Sequence, residues 1–160
     1  MIEISSLLSL SPDMSGWSLI KTGNTVTAAH VNHIVNGLEH CTLPKREWTH
    51  GAHLCAGTAL LRREGLTQAE HIMPAIIRRY NRACGVPNSD TEGYHHTITL
   101  FYLRTLNQAL QNRWSEDLGV LANHILTSEI SDKAYPLRFY SPSHLFSVTA
   151  RHKWVNADLV

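Results

Sequence analysis

The sequence predicts an all-α fold, a single-domain bundle of about five to seven helices. Three observations carry that prediction. Apolar residues recur at helical spacing in several separate stretches; Val31, Ile34, Val35 and Leu38 form one such stripe. Helix start and stop signals punctuate the chain: Pro44, the box Thr67-Gln68-Ala69-Glu70, and Gly85 followed by Pro87. The β-branched run Thr97-Ile98-Thr99 lies in about eighteen residues without a turn signal, too long for an ordinary strand.

Taken in order, residues 1–26 read as an N-terminal arm, broken by Ser11-Pro12, Gly16 and Thr22-Gly23-Asn24. The helical domain covers 27–160. Thr27 is the expected N-cap of the first helix, which should end near Cys41 because Pro44 disfavours helical geometry at Leu43. Beside its apolar stripe run His30, His33 and His40, expected to be solvated or a packing face. Pro44 is expected as the first residue of the second helix, with inward stripe His50, His53, Leu54, Gly57, Leu60 and Leu61. The third helix starts at the capping box and buries Ala69, Ile72, Met73, Ile76, Ile77 and Tyr80. Pro74 should kink it or shift its start, and Arg78, Arg79 and Arg82 should be solvated. A fourth helix carries Ile98, Phe101, Leu106 and Ala109. Ser115 is expected to cap a fifth through Leu118, Leu121, Ala122, Ile125 and Leu126, and Ser141-Pro142 to open a last helix reaching about His152.

The chain has 160 residues, 43% of them hydrophobic and 17% charged, enough for one real core. Formal net charge is +1, so no strong field draws nucleic acid or an acidic membrane. No apolar run reaches the roughly 18 residues that a membrane helix needs. Met1 to Leu10 lacks a basic region and a cleavage-like site, and Cys41, Cys55 and Cys84 have no paired spacing. Both features fit a cytoplasmic protein with reduced thiols.

Eleven histidines are an excess for this length and direct attention to metal or proton chemistry. Two helix openings collect the chemistry-bearing residues. The first places Glu47, His50 and His53 at i, i+3 and i+6, so that both imidazoles can reach one point. The second brings Tyr94, His95, His96 and Thr99. If the openings meet, His50, His53 and His95 form a three-histidine set with an open position, the pattern of a catalytic divalent metal such as zinc or iron. Glu47 and His96 would assist, and Thr49, Tyr94, Thr99 and Arg151 would orient a small polar molecule. No Gly-rich phosphate loop and no Gly-x-Ser-x-Gly elbow occurs.

The run Leu43-Pro44-Lys45-Arg46-Glu47-Trp48-Thr49-His50-Gly51-Ala52-His53-Leu54, with Arg79-Tyr80-Asn81 and Gly93-Tyr94-His95-His96-Thr97-Ile98-Thr99, resembles a bacterial family of small, uncharacterised helical proteins. The similarity spans roughly residues 27–160 and includes Phe139-Tyr140-Ser141 and Trp154-Val155-Asn156. The family has no established activity, so the resemblance implies a recurring polar site and no reaction. The family usually has Glu where this chain has His96.

Two functional readings follow. One is a small helical enzyme, a metal-dependent hydrolase or oxygenase built on His50, His53 and His95. The other is a non-catalytic ligand-binding or interaction module, in which the same histidines recognise a ligand or form a structural hydrogen-bond network. A homodimer through an apolar helix face is the expected assembly.

Overall fold

The computed structural model describes residues 25–114 and 116–159. Among them lie seven α-helices and three 3-10 turns, and no strand; the fold is all-α. The helices are α1 (Ala28–Glu39), α2 (His50–Glu64), α3 (Leu66–Ala83), α4 (His96–Leu110), α5 (Leu118–Leu126), α6 (Pro142–Leu145) and α7 (Val148–His152). No described helix is long and apolar enough to cross a membrane. The expected arm lies outside the described residues except for Thr25 and Val26. Val26 is tied to α5 by Asn123, whose side chain bonds both its N–H (3.0 Å) and its carbonyl (2.6 Å).

Thr27 caps α1 as expected, its hydroxyl oxygen accepting the His30 N–H at 3.2 Å. His40 ends the helix and Cys41 takes a positive φ of 57°. The Gly37 carbonyl then accepts from both Thr42 and Leu43, folding the chain back over α1.

The second helix starts later than Pro44 suggested. Pro44 precedes a 3-10 turn, Lys45–Glu47, and Trp48 at φ −80°, ψ 59° breaks the helical path. The Thr49 N–H bonds the Glu47 carbonyl at 2.9 Å, an inverse γ-turn. Thr49 then caps α2, accepting the Ala52 N–H. The turn buries the Trp48 indole against Tyr80.

Helix α2 is the centre of the bundle and packs against α1, α3, α4 and α5. One apolar stripe was expected. Instead every residue from Leu54 to Leu61 is buried. Ala52, Cys55, Ala56, Gly57 and Ala59 keep the cylinder thin enough for four neighbours to close around it.

Gly65, at φ 75°, ends α2 and starts α3 without a side-chain cap. The capping box at Thr67 therefore does not form: α3 already runs at Leu66, and Glu70 pairs with Arg104 instead. The helix passes unbroken through the buried Pro74. Its end matches the sequence signal: Gly85 N–H bonds Arg82 O, and Val86 N–H bonds Asn81 O, a Schellman closure.

Ser115 lies outside the described residues; the cap of α5 is Asp117, which accepts the Gly119 N–H at 2.8 Å. The single last helix expected from Pro142 is two short ones. Ser147 breaks it by capping α7 through the Ala150 N–H, while the Ser141 hydroxyl donates to Asp158. The C-terminal segment is laced to α4, with the Thr97 hydroxyl donating to Lys153 O at 2.9 Å and accepting from Val155 N.

Gly93 has φ 84°, and a Cβ there would sit 2.1 Å from the Pro87 carbonyl oxygen. Gly93→Ala is expected to cost about 3 kcal/mol or more. Gly85→Ala shares the positive φ but meets no atom within 4 Å, and should cost only about 1–2 kcal/mol. Urea denaturation of the two variants measures the difference.

Candidate functional site

His50 is the first residue of α2 and is 5% exposed. It faces Tyr102 of α4 edge-on, ring centroids 5.4 Å apart. Neither ring nitrogen has a hydrogen-bond partner. Beside it lies a cavity of about 50 Å³, bounded by His50, His53 and Gly57 of α2, Ile77 of α3, and Thr99 and Tyr102 of α4. That exceeds the roughly 10–15 Å³ needed to hold one water molecule. Burial, and next the Lys133 ammonium, push the His50 imidazole down to about 4; the Asp132 carboxylate opposes them. His50 is thus neutral near pH 7; the Ser131 backbone lies beside it, but neither nitrogen makes a well-formed hydrogen bond. Leaving a buried polar group unpaired costs about 1–3 kcal/mol.

His53 is half-buried on the same wall. Its ring stacks on Trp48 at 3.7 Å between centroids, and its Nδ1–H donates to the Thr49 carbonyl at 2.6 Å. The Nε2 lone pair remains. Burial holds this imidazole well below its usual value.

His95 belongs to a different assembly. It is the N-cap of α4 in extended conformation, φ −129°, ψ 110°. Its Nδ1 accepts the Ile98 N–H at 3.3 Å, and its Nε2–H donates to the Leu145 carbonyl at 3.0 Å. Both nitrogens are committed, the tautomer is fixed, and His95 does not line the cavity. Burial, then Arg151, lowers it to about 4. His95 cannot lend a lone pair without uncapping α4. The structure therefore brings His50 and His53 together but not His95, and the expected three-histidine metal set does not assemble. Among the described residues no group of three or more His, Cys, Asp or Glu is placed to hold a metal ion.

Glu47 sits in the 3-10 turn, outside α2, with Oε2 3.1 Å from His33 Nε2, away from the cavity wall. Thr49 is exposed and used as a cap. Thr99 does line the cavity, although its hydroxyl donates to the His95 carbonyl at 2.9 Å. The Tyr94 hydroxyl is 2.9 Å from His96 Nδ1, and neither residue borders the cavity. Arg151, 3% exposed, donates to the carbonyls of Gly93 (3.4 Å) and Tyr94 (3.3 Å), bracing the approach to α4. It holds backbone where a substrate contact was expected. His30, His33 and His40 are exposed.

Sequence reasoning missed Tyr102 and Arg78. Tyr102 follows Thr99 by three positions, and that helical spacing is the signal that would have placed it on the cavity face. Arg78 and Arg79 are not simply solvated. Arg78 lies over the Tyr94 ring, its Cζ 4.2 Å from the centroid, and Arg79 donates to the Glu39 carbonyl at 2.6 Å.

Comparison with family models, curated proteins and solved structures finds no match to this chain. The resemblance to the helical family rests on its motifs alone.

Two predictions follow from the histidines. His50 and His95 are held at about 4 in the fold, against about 6.5 in the unfolded chain. The unfolded chain therefore takes up protons first. Stability is intact above about pH 6.5 and falls toward pH 4, by up to ~1.4 kcal/mol per pH unit for each histidine. Urea midpoints across this window measure the slope, and His50→Leu should remove its share of it, with His53 and His95 supplying the rest. His95→Ala should destabilise by about 2–3 kcal/mol through the lost cap and the orphaned Leu145 carbonyl. His95→Asn, which can still cap, should lose less, as thermal melts will show.

Proposed function

We propose that the protein is a recognition module that binds a small, neutral, polar molecule in the cavity beside His50. The observation that supports this reading most directly is an imidazole 5% exposed, with no well-formed hydrogen bond at either nitrogen, on the wall of an otherwise largely apolar hollow. A neutral imidazole offers one donor and one acceptor. The two nitrogens point apart, so an amide or a hydroxyl in the cavity pairs with one of them. The wall carries no Asp, Glu, Lys or Arg among the described residues, so a charged occupant would lose its hydration without gaining a counter-charge. The volume of about 50 Å³ suits a molecule of a few heavy atoms.

The enzymatic reading uses the same imidazole as a proton acceptor. A group held at about 4 is a weak base at neutral pH, and general-base catalysis works best with a pKa near the operating pH. So weak a base suits recognition better than catalysis.

The test is NMR titration of the His50 ring signals with formamide, methanol and, as a charged counterpart, formate. Saturable shifts with the neutral probes and none with formate are expected. His50→Leu should abolish the binding and raise stability by about 1–2 kcal/mol, because two orphaned nitrogens leave the core. Absence of any saturable shift with the neutral probes, or a His50→Leu variant less stable than the parent, would overturn the proposal.

A further inference from the structure

A second polar assembly lies where α3 passes the start of α4. Tyr94 is 4% exposed and organises it. The Arg78 guanidinium lies over the face of its ring, 4.2 Å from the centroid. Its hydroxyl meets His96 Nδ1 at 2.9 Å. One aromatic side chain therefore fixes a guanidinium from α3 and an imidazole from α4.

The charges here do not cancel. Along the same helix pair Arg104 stacks over Trp154 at 4.1 Å, and its charge is met by Glu70, Nε to Oε1 at 2.6 Å. Arg78 has the equivalent aromatic support, yet among the described residues no carboxylate pairs with it. Stacking uses the π-face of a guanidinium and leaves its edge N–H groups pointing outward. His96 is half-buried, and burial, then Arg78 and Arg104, lower its pKa, with Glu70 opposing. The Tyr94–His96 bond can run either way; with the phenol donating to Nδ1, the His96 proton sits on Nε2 and supplies a third donor.

We infer that Arg78 and His96 form a binding site for an oxyanion, a phosphate or carboxylate group held by the Arg78 fork and the His96 Nε2–H. The chemistry fits: Arg binds such groups through two parallel charge-assisted bonds, and its usual entropic cost is reduced because contact with the Tyr94 ring already restrains it. This site is independent of the His50 cavity and takes the opposite class of ligand. Among the described residues Arg78 is the half-buried cation with aromatic support and no salt-bridge partner.

The experiment is a titration of the full chain with inorganic phosphate, and separately acetate, at constant ionic strength, followed through the His96 ring signals assigned with His96→Gln. Saturable binding of at least one of them is expected. Arg78→Gln should weaken it roughly tenfold or more, by loss of a charge-assisted pair. Arg78→Lys should be intermediate, because it keeps the charge and loses the fork. Arg62→Gln, an exposed arginine on α2, should change nothing. The His50 signals report in the same spectra that each variant is folded. Stronger binding of phosphate would identify the ligand as a phosphorylated molecule, and stronger binding of acetate a carboxylic acid. No saturable shift with either anion, or equal losses in Arg78→Gln and Arg62→Gln, would overturn the assignment.

Discussion

The rest of the structure depends on how closely four helices can approach α2. A helix enclosed on all sides must be thin, and between Ala52 and Ala59 it is built largely from Ala, Gly, Cys and Thr. A Cβ on Gly57 would lie 2.9 Å from a Leu106 methyl, so α4 is drawn in to glycine distance at that level. About two turns earlier the packing loosens, because the imidazole of His50 and the edge of Tyr102 do not interlock as aliphatic side chains would. The cavity follows from that mismatch. A tightly enclosed helix with a histidine at its first position must hide a polar ring, and the hollow beside it is where the ring goes unsatisfied.

Capping decides which histidines can do chemistry. His95 and His50 stand at neighbouring positions of their respective helix starts, one as the cap and the other as the first helical residue. The cap position turns the imidazole back onto the backbone and consumes its lone pair. The first helical position turns it into the bundle and leaves both nitrogens free. Two residues of the same type, similarly buried and similarly depressed in pKa, thus have opposite availability because of one step in backbone register.

This distinction also explains what the sequence made legible. Strong periodic stripes placed α1, α3 and α5, and the Gly85–Pro87 signal marked the end of α3. The start of α2 was misread because Pro44 is an equally good residue ahead of a 3-10 turn, and the choice was made by the burial of Trp48, a tertiary effect. That error put Glu47 on the same helix as His50, which it is not. The pairing of His50 with His53 was readable from spacing. The exclusion of His95 was not, since its partner Leu145 lies 50 residues away and in a short helix with no periodic signature. Thr99 could be placed on the cavity; Arg151 could not, because a buried arginine serving backbone carbonyls looks like a surface arginine in sequence.

The bonds that complete the start of α4 come from far along the chain. His95 waits for Leu145, Thr97 for Lys153, and the Gly93 and Tyr94 carbonyls for Arg151, separations of 50, 56, 58 and 57 residues. They reach across the chain as the packing of α5 on α1 and α2 does. In kinetic terms α1, α2 and α3 can form and dock early, whereas the first turn of α4 closes only when the C-terminal segment arrives. The same segment defines a cooperative unit in the native state: its detachment uncaps α4 and releases the loop before it, while the enclosed helix α2 stays packed.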